Sequence, residues 1–227
     1  TDSCLSKAQI DALEKSHAGP HNGKGEALYA SFPWDAGLSD LGWRMWKIGA
    51  PGQAGRPPMP AINASMGAPA LATIFSTPPR LLGNEPQAGL SYQLGYDFDR
   101  DAPKIFATNA QFPRSPWQEI SARSPDLRGL RARGAKMIVP QGVSDPVFSI
   151  NDTIAWWNEV NRMNGGKAAS FVRVFPVPGM GHCGGGPATD RFNALQALMN
   201  WVEHGKAPDR IVATAGQTTP WPGRKRP

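Results

Sequence analysis

Between Ala135 and Gly205 the chain alternates short apolar runs with longer amphipathic stretches, and the tight connections between them restrict how it can fold. Ala135-Lys-Met-Ile-Val139 has the length of a buried strand and ends at Pro140-Gln-Gly142. Ser149-x-x-Asp152 then opens a helix that carries Ile150, Ile154, Trp157 and Val160 on one face. Gly165-Gly166 closes that helix, and Ser170-Phe-Val-Arg-Val-Phe175 is a second strand, stopped by Pro176 and Pro178. A last helix sets Phe192, Leu195, Met199 and Val202 on one face and stops at Gly205. Strand, helix and strand joined this closely require parallel strands linked by a right-handed crossover. The expected fold class is α/β.

The stretch from Thr1 to Ser124 has a different texture, rich in Gly, Pro, Trp and Phe, with little sustained period. Ser6-x-x-Gln9 is a capping-box pattern that starts a helix through Ile10 and Leu13. A short helix is expected near Leu81 or Tyr92, and Pro51–Pro60, with four prolines, is loop. Two domains follow, 1–124 and 125–227. With 40% hydrophobic residues and 8 Trp, the chain is packed rather than disordered, although 25 Gly and 23 Pro make it rich in loops.

Composition excludes two classes of partner. No apolar run nears the ~18 residues of a membrane-spanning helix, so no membrane partner is expected. The net charge of +6 is scattered, approaching clusters only at Arg128, Arg131, Arg133 and Lys136 and at Arg224-Lys225-Arg226. Without a basic face interleaved with aromatics or a known module, no nucleic-acid partner is expected either. The opening Thr1-Asp2-Ser3-Cys4 is neither a signal peptide nor an initiation site, and reads as a cut end.

In an open parallel sheet, reactive residues gather at the carboxyl ends of the strands. After the first strand comes Gly142-Val-Ser-Asp145-Pro146; after the second comes Pro178-Gly-Met-Gly-His182-Cys183-Gly-Gly-Gly186. Asp145 and His182 stand 37 residues apart, one strand–helix–strand unit, which can bring a carboxylate to an imidazole. Such a pair is what a serine nucleophile's base requires, and the order of acid before His is the α/β-hydrolase order. Taken singly, Asp145 is also an ordinary turn residue and His182 an ordinary loop histidine.

No G-x-S-x-G is present. The nearest imitation, Asn63-Ala-Ser65-Met-Gly67, follows a proline-rich segment rather than a strand, so the serine is expected outside these residues. His17, His21 and His204 lack metal-ligand spacing and read as structural or surface residues, and no metal site is expected in this chain. Cys4 and Cys183 could pair, stay reduced, or each lack a partner that lies elsewhere.

The stretch Gly134–Ala213 closely resembles the tannase and feruloyl esterase family, which also takes in bacterial terephthalate-monoester hydrolases. The matching segments are Gly134-Ala-Lys-Met-Ile-Val139, Gly142-Val-Ser-Asp-Pro146, Val177-Pro-Gly-Met-Gly-His-Cys-Gly-Gly-Gly186 and Trp201-Val-Glu-His-Gly-Lys-Ala-Pro208. Cys4-Leu-Ser-Lys-Ala-Gln9 looks like the family's lid segment, and the rest is colinear though weaker. The resemblance implies a secreted or periplasmic serine esterase acting on aromatic-acid esters, with an α/β-hydrolase core and an inserted lid. Residues 1–124 would then be part of the lid, and 125–227 the carboxyl-terminal part of the core.

The resemblance also implies roles. Asp145 maps to the triad acid and His182 to the base. Cys183 maps to a disulfide partner of a cysteine preceding the serine, and Cys4 to a lid cysteine whose partner lies upstream. An upstream, disulfide-linked chain or segment of the same esterase is therefore the expected partner, carrying the serine, the oxyanion donors and the lid's structural calcium loop. This chain itself would hold no cofactor and be inactive alone.

Family members often have His where this chain has Gln141, and aromatic or Trp-Ala residues where it has Val143-Ser144, so Val143 and Ser144 are candidate pocket residues with their own substrate preference. Trp34, Trp43, Trp46 and Trp117 are candidates to stack on a planar acyl group, Trp34 and Trp117 foremost, although lid core is the favoured reading of each. The rival functions are another α/β-hydrolase activity and a non-catalytic aromatic-binding protein on an esterase fold.

Overall fold

The computed structural model describes residues 4–83 and 85–227. They form two compact units: residues 4–30 with 44–122, and residues 31–43 with 123–227. Sequence texture puts one boundary at 124/125; the structure adds residues 31–43, Trp34 and Trp43 among them, to the second unit.

In the first unit, α1 (Lys7–Ala18) is held by the expected capping box: Ser6 Oγ accepts from the Gln9 N–H, and Gln9 Oε1 from the Ser6 N–H. A second helix, α2 (Leu41–Lys47), runs across the division between the units. The proline-rich Pro51–Pro60 segment is a narrow irregular hairpin, bridged at Ala50–Met59 and Gln53–Arg56. α3 (Ile62–Pro69) packs on α4 (Pro86–Leu94), where Gln93 Nε2 donates to the Asn63 carbonyl at 3.1 Å. The helix expected near Leu81 or Tyr92 is α4, and Leu81 itself lies in the preceding loop. α5 (Pro116–Ile120) is a single capped turn.

A charged node closes the same unit. The buried Asp101 carboxylate accepts from Arg100 Nη2 at 2.6 Å, Lys104 Nζ at 2.7 Å and the Asp97 N–H at 2.9 Å. The Arg100 guanidinium holds the Asp101 carboxyl well below the usual carboxylate range. Burial, with Tyr92 and Asp101 nearby, pushes the Tyr96 hydroxyl up to about 12.

The second unit is built on β1 (Met137–Gly142) and β2 (Val172–Val177), parallel and in register from Met137↔Val172 to Gly142↔Val177. Both strands run on through a proline where the sequence suggests a stop. The Met137 N–H donates to Phe171 and the Val143 N–H to Val177, so by alternation the ring nitrogens of Pro140 and Pro176 face away from the shared ladder. A proline is tolerated where its missing N–H is not required.

After the short turn α6 (Arg128–Ala132) and β1, the crossover is α7 (Ile150–Met163), capped by Ser149 and braced by Arg123, which bridges Asp152 and Glu159. Val160, Ala168, Phe171 and Val172 form the core, with Leu127, Leu130, Met137, Trp156 and Trp157 around them.

Helix α8 (Ala194–His204) ends at Gly205, in the left-handed conformation. Its buried residue is Trp201, while Leu195, Met199 and Val202 are 68%, 41% and 59% exposed. The face read from sequence as core is thus turned outward in this unit. Phe192 precedes the helix, because Asn193 caps it, and joins Val177, Met180 and Ala188. A short antiparallel pair, β3 (Ala213–Thr214) and β4 (Lys225–Arg226), completes the unit. Among the described residues, no helix is long and apolar enough to cross a membrane.

Candidate active site

The strand register sets the site. Gly142 ends β1 opposite Val177, so the turn after β1 and the loop after β2 start side by side. They are laced by backbone bonds: the Val143 N–H donates to Val177 and the Ser144 N–H to Met180, both at 3.0 Å. On this frame His182 Nδ1 lies 3.0 Å from Asp145 Oδ2. Asp145 Oδ1 accepts from the Val147 N–H at 2.7 Å and the Phe148 N–H at 3.0 Å, which fixes the carboxylate plane. Asp145 is buried, whereas the His182 side chain is 27% exposed.

An ionised carboxylate only accepts, so we assign the proton to Nδ1, which makes Nε2 the accepting nitrogen of the neutral ring. An accessible imidazole oriented by a buried acid can move a proton to and from a group at its Nε2. The ring of Phe148, itself exposed, lies 5.6 Å from the His182 ring at a tilt of 53°. Farther along the loop, Asp190 Oδ2 accepts from the Gly185 N–H at 2.9 Å.

The other residues singled out from sequence are distributed as follows. Val143 is half-buried beside Asp145. Ser144 is buried, and its hydroxyl donates to Asp35 Oδ2 at 2.6 Å. Trp34, in the same unit, is exposed; Trp117, in the first unit, tilts against Phe106 at 5.4 Å. Trp43 is buried and Trp46 half-buried.

Cys4 is exposed; Cys183 is an exposed free thiol in the left-handed region (φ 64°), next to His182. Ser65 lies in α3, its hydroxyl 3.2 Å from the Ile62 carbonyl. His17 is buried in α1, His21 bonds the Gly19 carbonyl, and His204 lies in the last turn of α8. Among the described residues, no group of three or more His, Cys, Asp or Glu side chains is arranged to hold a metal ion.

Sequence reasoning passed over Asp35, which touches both loops of the site: its Oδ2 also accepts from the Gly179 N–H at 2.6 Å. Trp34-Asp35-Ala-Gly37 carries no motif, and 109 residues separate Asp35 from Ser144, so only the folded chain brings them together.

Comparison with known proteins agrees with this frame. The whole chain, residues 1–227, matches the family model described as tannase and feruloyl esterase. It is 40% identical over 223 residues to the mono(2-hydroxyethyl) terephthalate hydrolase of Piscinibacter sakaiensis, covering 95% of this chain and 36% of that protein. Feruloyl esterase B of Aspergillus niger is 32% identical over 107 residues, 40% of this chain and 20% of that protein.

Among solved structures, the tannin acyl hydrolase of Aspergillus niger superposes on 99% of this chain and 39% of its own, with a TM-score of 0.67 at 18% identity. Feruloyl esterase B of Aspergillus oryzae gives 0.56 at 20% identity, over 99% of this chain and 42% of its own. These likenesses establish an α/β-hydrolase fold. The chain spans well under half the length of these relatives. Motif, register and family model converge: the chain belongs to the tannase and feruloyl esterase family.

Proposed function

We propose that this chain supplies the acid and the base of a serine carboxylic ester hydrolase that acts on esters of aromatic or hydroxyaromatic acids. The observation that carries the reading is the 3.0 Å bond between Asp145 and His182 at the carboxyl ends of adjacent parallel strands. The serine would come from a segment outside these residues. His182 Nε2 takes the serine proton as the hydroxyl oxygen attacks the ester carbonyl, and the imidazolium is stabilised by Asp145. The same nitrogen returns the proton to the leaving alcohol as the acyl-enzyme forms. Water then repeats the cycle, its proton passing through Nε2 to the released serine.

The likeness to an enzyme named for terephthalate monoesters and to others named feruloyl esterase supports a planar aromatic acyl group. The first unit belongs, in this reading, to the lid domain; Trp117 in that unit and Trp34 in the second are alternative candidates for stacking on the acyl group. Cys183 would join a cysteine beside the serine, and Cys4 an upstream lid cysteine; both bridges require an oxidising, secreted or periplasmic setting. The family's lid calcium would lie outside these residues, and no step above involves it.

The test is His182→Ala in the full-length protein. Ester turnover falls by several orders of magnitude while circular dichroism is unchanged. Wild-type-like turnover in that variant would overturn the assignment.

A further inference from the structure

Asp35 precedes a one-turn 3₁₀ helix (Ala36–Ser39), where an aspartate ordinarily caps the turn it starts, yet its side chain makes no capping bond. Instead, its Oδ2 accepts from two donors at once, Ser144 Oγ and the Gly179 N–H, each at 2.6 Å. Ser144 immediately precedes Asp145, and Gly179 stands three residues before His182. One carboxylate oxygen therefore links the loop of the acid to the loop of the base. Hydrogen bonds to an ionised acceptor are shorter and about twice as strong as neutral ones.

The clamp is fitted on every side. The Gly37 N–H donates to Ser144 Oγ at 3.0 Å, so the hydroxyl accepts from one residue of the segment and donates to another. Gly37 can be nothing larger, because a Cβ there would stand 2.4 Å from Ser144 Oγ and 2.8 Å from the Gly179 carbonyl oxygen. The segment is anchored again where the Ser31 carbonyl accepts from Ser149 Oγ and Asn151 Nδ2, at the start of α7.

We propose that Asp35 is a positioning residue for the Asp145–His182 pair, setting their separation through Ser144 and Gly179. Only the kinetic consequence rests on the esterase reading above. Misplacing reacting groups by about 1 Å costs on the order of 100-fold in rate, so the loss on removing this side-chain link, with the backbone bonds between the loops still made, falls on kcat.

The experiment compares wild type, Asp35→Ala and Asp35→Asn in the full-length protein, by ester kinetics and by the low-field proton resonance of the His182 Nδ1–H, identified by its absence in His182→Ala. Asp35→Ala is expected to lower kcat by 10- to 100-fold with KM changed less than threefold, and to broaden or remove the resonance. Asp35→Asn restores most of both, since its amide oxygen still accepts from Ser144 and Gly179. An Asp35→Ala protein with kcat within twofold of wild type and an intact resonance overturns the proposal.

Should Asp35→Ala fail to fold, Ser144→Ala decides: a weakened resonance and lowered kcat support the clamp, and unchanged values overturn it. Should wild type lack esterase activity, the resonance alone decides, so the two readings fail separately.

Discussion

Gly142, the last residue of β1, lies directly against the Met180 carbonyl: a Cβ on Gly142 would stand 2.2 Å from that oxygen and 2.5 Å from the one of Gly181. The strand that leads to the acid and the loop that leads to the base therefore touch backbone to backbone, with no side chain between them.

Gly142→Ala should for this reason be among the most damaging single-methyl additions in the second unit. The obstacle is backbone on both sides, so the loop has to move; overpacking of this kind costs roughly 1–3 kcal/mol. Urea denaturation of the full-length protein should show the loss, with ester turnover falling at least tenfold. Wild-type stability and turnover together would mean that the loops are not held as described.

Asp145→Asn keeps the shape of the acid and removes its charge. The amide can present an N–H to His182 Nδ1, which favours the tautomer that leaves no acceptor at Nε2. In the full-length protein kcat should fall about 10³- to 10⁴-fold with KM little changed, as for other acid–imidazole–serine arrangements. A loss under tenfold would indicate that Asp145 is not the orienting acid.

Phe171 is fully enclosed among Val160, Ala168 and Val172. Phe171→Ala should destabilise the second unit by about 3–5 kcal/mol, the usual cost of emptying an aromatic site in a core. Chemical denaturation followed by tryptophan fluorescence would report it through Trp156 and Trp157, which flank that core.

The charged node of the first unit gives a pH dependence of known sign. The Arg100 hydrogen bond depresses the Asp101 carboxyl, so its contribution is present above the unfolded pKa of about 4 and is lost as pH falls toward the lower native value. Burial raises the Tyr96 hydroxyl to about 12, so its contribution is present below the unfolded pKa near 10 and is lost between about 10 and 12. Asp101→Asn should cost about 1 kcal/mol at neutral pH, limited by the exposure of Arg100 and Lys104, and should flatten the acid limb. Tyr96→Phe should flatten the alkaline limb; thermal melts across pH separate the two.

What the sequence made legible follows from local pattern. The short apolar runs, the Ser149 cap and the paired glycines marked β1, α7 and β2, because those signals act within a few residues of themselves. Both strands nevertheless run past a proline, since the direction of a missing N–H becomes known only once the partner strand is in place. The same limit explains α8: the period of Leu195, Met199 and Val202 identifies an apolar stripe but does not say which side is buried, and the buried residue is Trp201. Asp145 and His182 could be found because one crossover unit separates them. Asp35 could not, since its partners lie 109 and 144 residues away and nothing in its neighbourhood distinguishes it from a turn aspartate.

Pro140 and Pro176 are one register step apart and turn their ring nitrogens to opposite outer edges of the β1–β2 pair. Each edge therefore lacks a donor near its carboxyl end, so a strand added on either side can zip along the amino-terminal half but is interrupted before the turns. A neighbouring strand of the sheet would therefore find one ladder donor missing on either edge just short of Asp145 and the approach to His182. The two prolines thus thin the ladder where the Asp145 turn and the His182 loop leave the strands.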